Sequence, residues 1–247
     1  MKAMILAAGL GTRLRPWTEH HPKALVPVKG VPMLERVIVK LRGEGFDMIV
    51  VNVHHFADQI RDFLSSRDFG VRIAVSDESG CLLDTGGGLV KAKNLLDPEV
   101  GPVLVHNVDI LSDASLRTLV EKHEASHDVA TLLVSDRVSE RKLVFDGDMA
   151  LRGWHNIKDG RYRPEGFVAS EDLREYAFSG IHVVGAEMLR EMESLMGNGS
   201  FPVMDYYLSA RRQGRVGGWV QRGLRLIDIG KPATLSQADA VLDGLEG

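Results

Sequence analysis

A chain of 247 residues with 44% hydrophobic and 26% charged residues has the composition of an ordinary folded globular protein, which excludes a disordered or membrane-embedded chain. Its 30 Lys and Arg against 34 Asp and Glu leave a net charge of −4, the wrong sign for a general nucleic-acid surface, so neither nucleic acid nor membrane is an expected partner. The single cysteine, Cys81, excludes an internal disulfide and a multi-thiolate zinc site.

Lys2–Ala8 is a short apolar run closed by glycine and reads as a buried strand. The run from Ala3 to Leu10 is broken by Gly9 and followed by Gly11, Arg13 and Arg15. That fits neither a spanning helix nor a secretory leader, so the cytoplasm is the expected location. Leu34, Val37, Ile38 and Leu41 recur at helical spacing, with Pro32 suited to the first turn and Gly45 to the exit. Met48–Val53 is a strand; Ala57, Ile60, Phe63 and Leu64 mark a second helix; Val71–Val75 is a further strand. A loop through Asp84–Gly88 leads to a short helix over Leu89–Leu96 and a strand over Val103–His106. A helix carrying Leu116, Leu119 and Val120, which Asp113 is expected to cap, precedes a strand over Val129–Val134. The alternation predicts an α/β chain with a doubly wound, mostly parallel, Rossmann-like sheet.

The second half changes character. Leu143–Leu151 reads as a hairpin around Asp146-Gly147, and residues 152–175 are polar with little periodicity, as in an insertion covering one edge. Tyr176–Val184 is a strand, followed by helical stretches at Ala186–Leu195 and Val203–Arg212, strands near Val216–Gln221 and Leu224–Ile229, and a terminal helix through Leu235–Leu245. No linker divides the chain, so residues 1–247 are expected to form one domain with two halves, 1–135 and 136–247.

Within residues 1–30, Lys2, Arg13, Arg15, Lys23 and Lys29 face Glu19 alone, a local excess that would draw a small anion toward the N-terminal segment. The buried strand ends in Leu6-Ala7-Ala8-Gly9-Leu10-Gly11-Thr12-Arg13-Leu14-Arg15-Pro16, where two glycines let backbone N–H groups approach phosphate oxygens and Arg13 can clamp the anion through two hydrogen bonds. On its own, Gly-x-Gly is equally a tight strand-to-helix turn. A dinucleotide fingerprint wants a third glycine where Leu14 stands, which disfavours a nicotinamide-dependent oxidoreductase, and no Gly-Lys-Ser/Thr ending makes a Walker loop.

The continuation His21-Pro22-Lys23-Ala24-Leu25-Val26-Pro27-Val28 fixes a lysine between two prolines. Together the two strings resemble the signature of the sugar-1-phosphate nucleotidylyltransferases, and the resemblance extends from Met1 to about Ala233. It implies the nucleotide-diphospho-sugar transferase fold and the coupling of a nucleoside triphosphate to a sugar-1-phosphate with release of pyrophosphate. It further implies that Gly9, Gly11, Thr12 and Arg13 hold the triphosphate, with Leu6 and Ala8 beside them, and that Lys23 neutralises charge near the reacting centre. Nucleotidyl transfer needs alignment and charge neutralisation more than a covalent catalyst, so this equipment suits it.

Val103 to Asp109 is an apolar strand ending in a carboxylate, and open parallel sheets place ligands beyond such ends. The resemblance makes Asp109 a catalytic magnesium ligand and Asn107 a nucleotide neighbour; the family's usual string is Asn-Gly-Asp, and here Val108 replaces the glycine. The family's second metal-binding Asp matches Asp228, in Leu224-Arg225-Leu226-Ile227-Asp228-Ile229-Gly230. Two carboxylates with phosphate oxygens and waters suit Mg²⁺. The string Glu78-x-x-x-Leu82-Leu83-Asp84-Thr85-Gly86-Gly87-Gly88, whose Asp84, Thr85, Gly86 and Gly87 are assigned to the nucleotide, resembles the base-side loop of bacterial N-acetylmuramate-1-phosphate uridylyltransferases, as does Phe178-Ser179-Gly180-Ile181, whose Ser179 and Gly180 are assigned to the sugar. UTP is therefore preferred to GTP. A mannose-1-phosphate guanylyltransferase and a non-catalytic nucleotide-sugar-binding module are the alternatives. The Glu-Lys-Pro string whose lysine holds the sugar phosphate in many relatives is absent between residues 135 and 180, leaving Arg137, Arg141 and Lys142 as substitutes or as ordinary exposed charges.

Overall fold

The computed structural model describes residues 1–209, 212–230, 232–235, 238 and 242. The first half contains β1 (Lys2–Leu6), β2 (Pro27–Val28), β3 (Val31–Pro32), α1 (Met33–Gly43), β4 (Met48–Val53), α2 (Ala57–Ser65) and β5 (Arg72–Asp77). There follow α3 (Asp84–Leu96), β6 (Val103–Asn107), β7 (Ile110–Ser112), α4 (Leu116–Glu124) and β8 (Ala130–Ser135). The second half contains β9 (Arg141–Phe145), β10 (Leu151–Asn156), β11 (Arg161–Arg163), β12 (Arg174–Val184), α5 (Ala186–Met196), α6 (Val203–Tyr207), β13 (Val216–Val220), β14 (Leu226–Asp228) and α7 (Pro232–Leu235).

β5, β4, β1 and β6 lie side by side in that order, all parallel. Their side chains alternate between two cores. Ala3, Ile5, Ile49, Val51 and Leu104 pack with Leu34, Ile38 and Leu41 of α1, Ile60 of α2 and Leu119 of α4. On the other face, Met4, Val50, Val103 and Val105 pack with Leu89 and Ala92 of α3 and with Met188 and Leu189 of α5. Burial on both faces explains why these strands read as unbroken apolar runs. β1 continues through α1 to β4 on one side, whereas the chain returns through α3 to β6 on the other. The connections therefore diverge between β1 and β6, and an α/β sheet opens a crevice at such a point. Antiparallel β12 pairs with β6 and carries the sheet into the second half, where β8, β13 and the β9–β10–β11 meander complete ten strands. Among the described residues no helix is long and apolar enough to cross a membrane.

Several elements depart from the sequence reading. The expected loop over Asp84–Gly88 is the start of α3. The N–H groups of Gly86 and Gly87 donate to the Phe201 carbonyl, at 2.9 and 3.3 Å, and Val203 N–H donates to Thr85 Oγ1 at 2.8 Å, so a distant loop satisfies the helix start. Residues 152–175, expected to be polar with little periodicity, contain β11 and most of β10; β11 is the edge of the sheet and β10 lies between it and β9. Asp113 does not cap α4: its carboxylate accepts from Arg225 N–H at 2.9 Å and from Arg225 Nε at 2.7 Å, and Ser115 holds the N-cap position. α6 ends at Tyr207, short of the expected Arg212. The expected terminal helix lies almost wholly outside the described residues beyond α7.

Candidate active site

The crevice at the carboxyl ends of β1 and β6 holds a cavity of about 420 Å³. Leu6, Ala8, Gly9, Gly11, Thr12 and Arg13 line it from the first strand and its exit. Lys23, Asp84, Thr85, Asn107 and Asp109 line it from later segments, so eleven of the residues singled out in the sequence meet at one opening. Gly11 has φ +64°, a conformation glycine adopts at no steric cost, and a Cβ there would sit 2.8 Å from Lys23 Cβ and 2.9 Å from Thr18 Cγ2. Its carbonyl accepts from Leu14 N–H at 2.8 Å and Thr18 Oγ1 at 2.9 Å, which folds the chain into a tight turn carrying Arg13.

The acid pair is assembled from opposite ends of the chain. β7 and β14 form a short antiparallel ladder in which Asp228 stands opposite Ile110, and Ile229 N–H donates to the Asp109 carbonyl at 2.9 Å. A Cβ placed on Gly230 would be 2.7 Å from Asp228 Oδ1, 2.8 Å from Arg13 Nη2 and 3.0 Å from Asp109 Oδ2. Both carboxylates and the arginine thus surround one small space that glycine leaves open. Asp228 itself does not line the cavity, though Gly230 does. Lys23, held in a turn by Val26 N–H donating to its carbonyl at 3.1 Å, pairs its ammonium with Asp109 Oδ2. Val108, which stands where relatives have glycine, is 4% exposed and has no positive φ; its N–H donates to the Leu6 carbonyl at 3.2 Å, so this backbone does not require glycine.

Gly86 and Gly87 do not line the cavity. A Cβ on Gly86 would lie 2.3 Å from the Phe201 ring, and one on Gly87 would lie 2.2 Å from the Gly199 carbonyl oxygen, so these glycines serve the docking of the 199–201 loop. Ser179 and Gly180 are likewise behind the lining: Ser179 is fully buried, and a Cβ on Gly180 would meet Asn107 Nδ2 at 2.9 Å.

Sequence reasoning missed Asn52 and gave Glu78, which stands in the base-side string, no role. Asn52, at the end of β4, lines the cavity, and its amide oxygen accepts from Ala7 N–H at 2.6 Å and Ala8 N–H at 3.3 Å. Behind it, fully buried Glu78 accepts from Asn52 Nδ2 at 2.8 Å; burial pushes its carboxyl above the usual range, against hydrogen bonds from Asn52 and Leu83 that pull it down. The signal in the sequence is Glu78's place at the head of the string that carries the base-side resemblance; Asn52, inside an apolar strand, has none. Among the three candidates for the missing sugar-phosphate lysine, Arg141 is exposed and Lys142 Nζ donates to the Arg137 carbonyl at 2.6 Å. Arg137 is half-buried, donates through Nη2 to the Phe178 carbonyl at 2.9 Å, and has a buried Nε with no protein partner among the described residues. Burial pulls its guanidinium pKa down and the charge of Asp228 opposes that shift, so Arg137 belongs to the electrostatic neighbourhood of the acid pair.

The sequence pattern of the Nucleotidyl transferase family matches residues 2–145, and the chain belongs to that family. It is 32% identical over 246 residues to N-acetylmuramate alpha-1-phosphate uridylyltransferase of Caulobacter vibrioides, covering 97% of this chain and 96% of the relative. It is 34% identical over 244 residues to the protein of the same name from Neisseria meningitidis serogroup B, covering 98% of each. Among solved structures it shares its fold with HddC from Yersinia pseudotuberculosis, at TM-score 0.77 and 21% identity over 98% of this chain and 99% of that one. The inositol-1-phosphate CTP transferase from T. maritima superposes with TM-score 0.78 and 16% identity over 99% and 96%. The chain therefore has the α/β fold of the nucleotide-diphospho-sugar transferases.

Proposed function

We propose that this chain transfers a uridylyl group from UTP to N-acetylmuramate α-1-phosphate in the cytoplasm, giving the UDP-sugar and pyrophosphate. The observation that carries the reading is the gathering of Asp109, Asp228, Arg13 and Lys23 at the switch point of the sheet, beside a glycine turn suited to phosphate. The choice of base and sugar is supported by the two full-length relatives of that activity.

An oxygen of the sugar phosphate attacks the α-phosphorus of UTP in line as the bond from that phosphorus to the β-phosphate oxygen breaks, and the electron pair leaves on pyrophosphate. No protein nucleophile and no proton transfer are needed. The backbone N–H groups of the Gly9–Thr12 turn and the Arg13 guanidinium hold the departing phosphates. Lys23, salt-bridged to Asp109, supplies a positive charge where two anions must meet. Two carboxylate groups with oxygen donors fit a hard divalent ion, and among the described residues no larger group of His, Cys, Asp and Glu forms a ready metal cage, so phosphates and water would complete the shell. Asp109 and Asp228 would hold Mg²⁺, which supplies charge neutralisation between the reacting anions. Arg137, close to Asp228, would face the acceptor's phosphate.

Purified protein with Mg²⁺ and N-acetylmuramate α-1-phosphate is expected to release pyrophosphate fastest with UTP among four nucleoside triphosphates. Asp109→Asn should lower kcat by roughly 10²-fold or more, the scale of losing one electrostatic partner of the transition state. Unchanged turnover in that variant rejects the metal assignment. Nucleotide binding without turnover across a panel of sugar phosphates rejects the enzyme.

A further inference from the structure

The two loops that frame the cavity are joined behind it by a buried carboxylate. Glu78 Oε1 accepts from Asn52 Nδ2 at 2.8 Å, and Glu78 Oε2 accepts from Leu83 N–H at 3.2 Å, just before Asp84 and Thr85 reach the cavity wall. The Asn52 amide has two faces. Because its NH₂ is taken by Glu78, its oxygen must face Ala7 N–H at 2.6 Å and Ala8 N–H at 3.3 Å, where β1 opens into the glycine turn. α3 runs close against this relay: a Cβ on Gly88 would sit 2.8 Å from Glu78 Oε1 and 3.1 Å from Asn52 Nδ2. The Glu78 backbone is also fixed, its N–H donating to the Val53 carbonyl at 2.7 Å and its carbonyl accepting from Cys81 N–H at 2.9 Å and bonding His54 Nδ1 at 2.6 Å. A fully buried carboxylate costs solvation energy that an apolar side chain of the same volume would not, so its presence calls for a role.

We infer that Glu78 is a positioning residue for the nucleotide: acting through Asn52, it sets the orientation of the Ala7–Ala8 backbone and ties the glycine turn to the Leu83–Thr85 segment. Only an acceptor on both oxygens does this. A glutamine at 78 has one acceptor and one donor. If its oxygen takes Leu83 N–H, its NH₂ meets the NH₂ of Asn52; if its oxygen takes the Asn52 NH₂, its own NH₂ meets Leu83 N–H; and if Asn52 turns over, its NH₂ meets the N–H groups of Ala7 and Ala8. In every arrangement one donor faces another, at the turn or at Leu83, and the tie between the two is broken. Exchanging the two functional groups removes it: in the pair Asn52→Asp with Glu78→Gln, Asp accepts from Ala7, Ala8 and the glutamine NH₂, and the glutamine oxygen accepts from Leu83.

Hydrogen exchange on the ligand-free protein tests the relay without reference to any reaction. Glu78→Gln should speed exchange at the Ala7 and Ala8 amides or at the Leu83 amide by roughly tenfold or more, as for loss of a charged hydrogen-bond partner, and the double variant should return them toward wild type. The kinetic arm rests on the uridylyl-transfer reading: KM for UTP should rise roughly tenfold in Glu78→Gln, KM for the sugar phosphate should stay within about twofold, and the double variant should recover UTP. Unchanged exchange at Ala7, Ala8 and Leu83 alike, or a double variant no better than Glu78→Gln, overturns the inference. A wild-type protein inactive with UTP, but with the exchange pattern as described, overturns the activity and leaves the relay standing. Should Glu78→Gln alone not fold, a folded double variant with wild-type exchange at Ala7 and Ala8 supports the relay, and a double variant that also fails to fold overturns it.

Discussion

Arg137, two residues after β8, is half-buried, with one nitrogen on a carbonyl and Nε lacking a protein partner among the described residues, within the electrostatic reach of Asp228. A buried cation with an unused donor is costly unless an anion completes it. Arg137→Met is therefore expected to raise KM for the sugar phosphate by roughly tenfold or more while KM for UTP changes little, a split that initial-rate kinetics with each substrate varied in turn will read. Single residues were also where the sequence was least informative. Arg137, Arg141 and Lys142 are equivalent charges on paper, and only the placement of the strand ends separates them. Glu78 carries no mark of burial, because a carboxylate near a loop is exposed in most proteins. Lys23 and Arg13, by contrast, stand inside long motifs and were legible.

At the scale of elements, the parallel strands were readable because burial on both faces writes a continuous apolar run, while α3 was not. Its three glycines signal a loop, yet contacts from the 199–203 segment close the helix start over them. Local propensity and packing oppose each other here, and magnitudes decide. Alanine gains about 1 kcal/mol over glycine in a helix interior, whereas forcing a methyl into a filled space costs about 1–3 kcal/mol. With only 2.2 Å between a Cβ on Gly87 and the Gly199 oxygen, which is backbone, the packing term should win. Gly87→Ala is thus expected to lower unfolding free energy by up to about 2 kcal/mol in urea titrations; a stabilised variant would mean that the 199–201 loop yields freely. β7 was missed for another reason: three residues beside a turn become a strand only when β14 arrives to pair with them.

For the whole molecule, the doubly wound sheet followed from the alternation of strands and helices, but the depth of its polar groups did not. His106 and His182 lie 1% exposed in the sheet, and burial pulls their pKa values from 6.5 to about 4 and about 3, the Asn107 carbonyl opposing the shift for His106 and the charge of His106 adding to that for His182. Both values are depressed on folding, so acid favours the unfolded chain. Their contribution is complete above pH 6.5 and drains away as pH falls toward 4 and 3, by up to about 1.4 kcal/mol per pH unit for each ring. Urea unfolding at pH 7, 6 and 5 should record this loss. His182 has no hydrogen-bond partner at either nitrogen among the described residues, so His182→Leu should hold or raise stability at pH 7 and flatten the acid slope; an unaltered slope would mean that other groups govern it.

The ladder between β7 and β14 has a consequence for synthesis. A chain leaving the ribosome presents the phosphate turn and Asp109 well before Asp228, which follows only after the whole second half of the sheet has been made. An unfinished polypeptide can therefore gather the glycine turn, Arg13 and Lys23 while lacking one carboxylate of the pair, and on the proposed reading the competence to react arrives only when β14 is threaded back against β7.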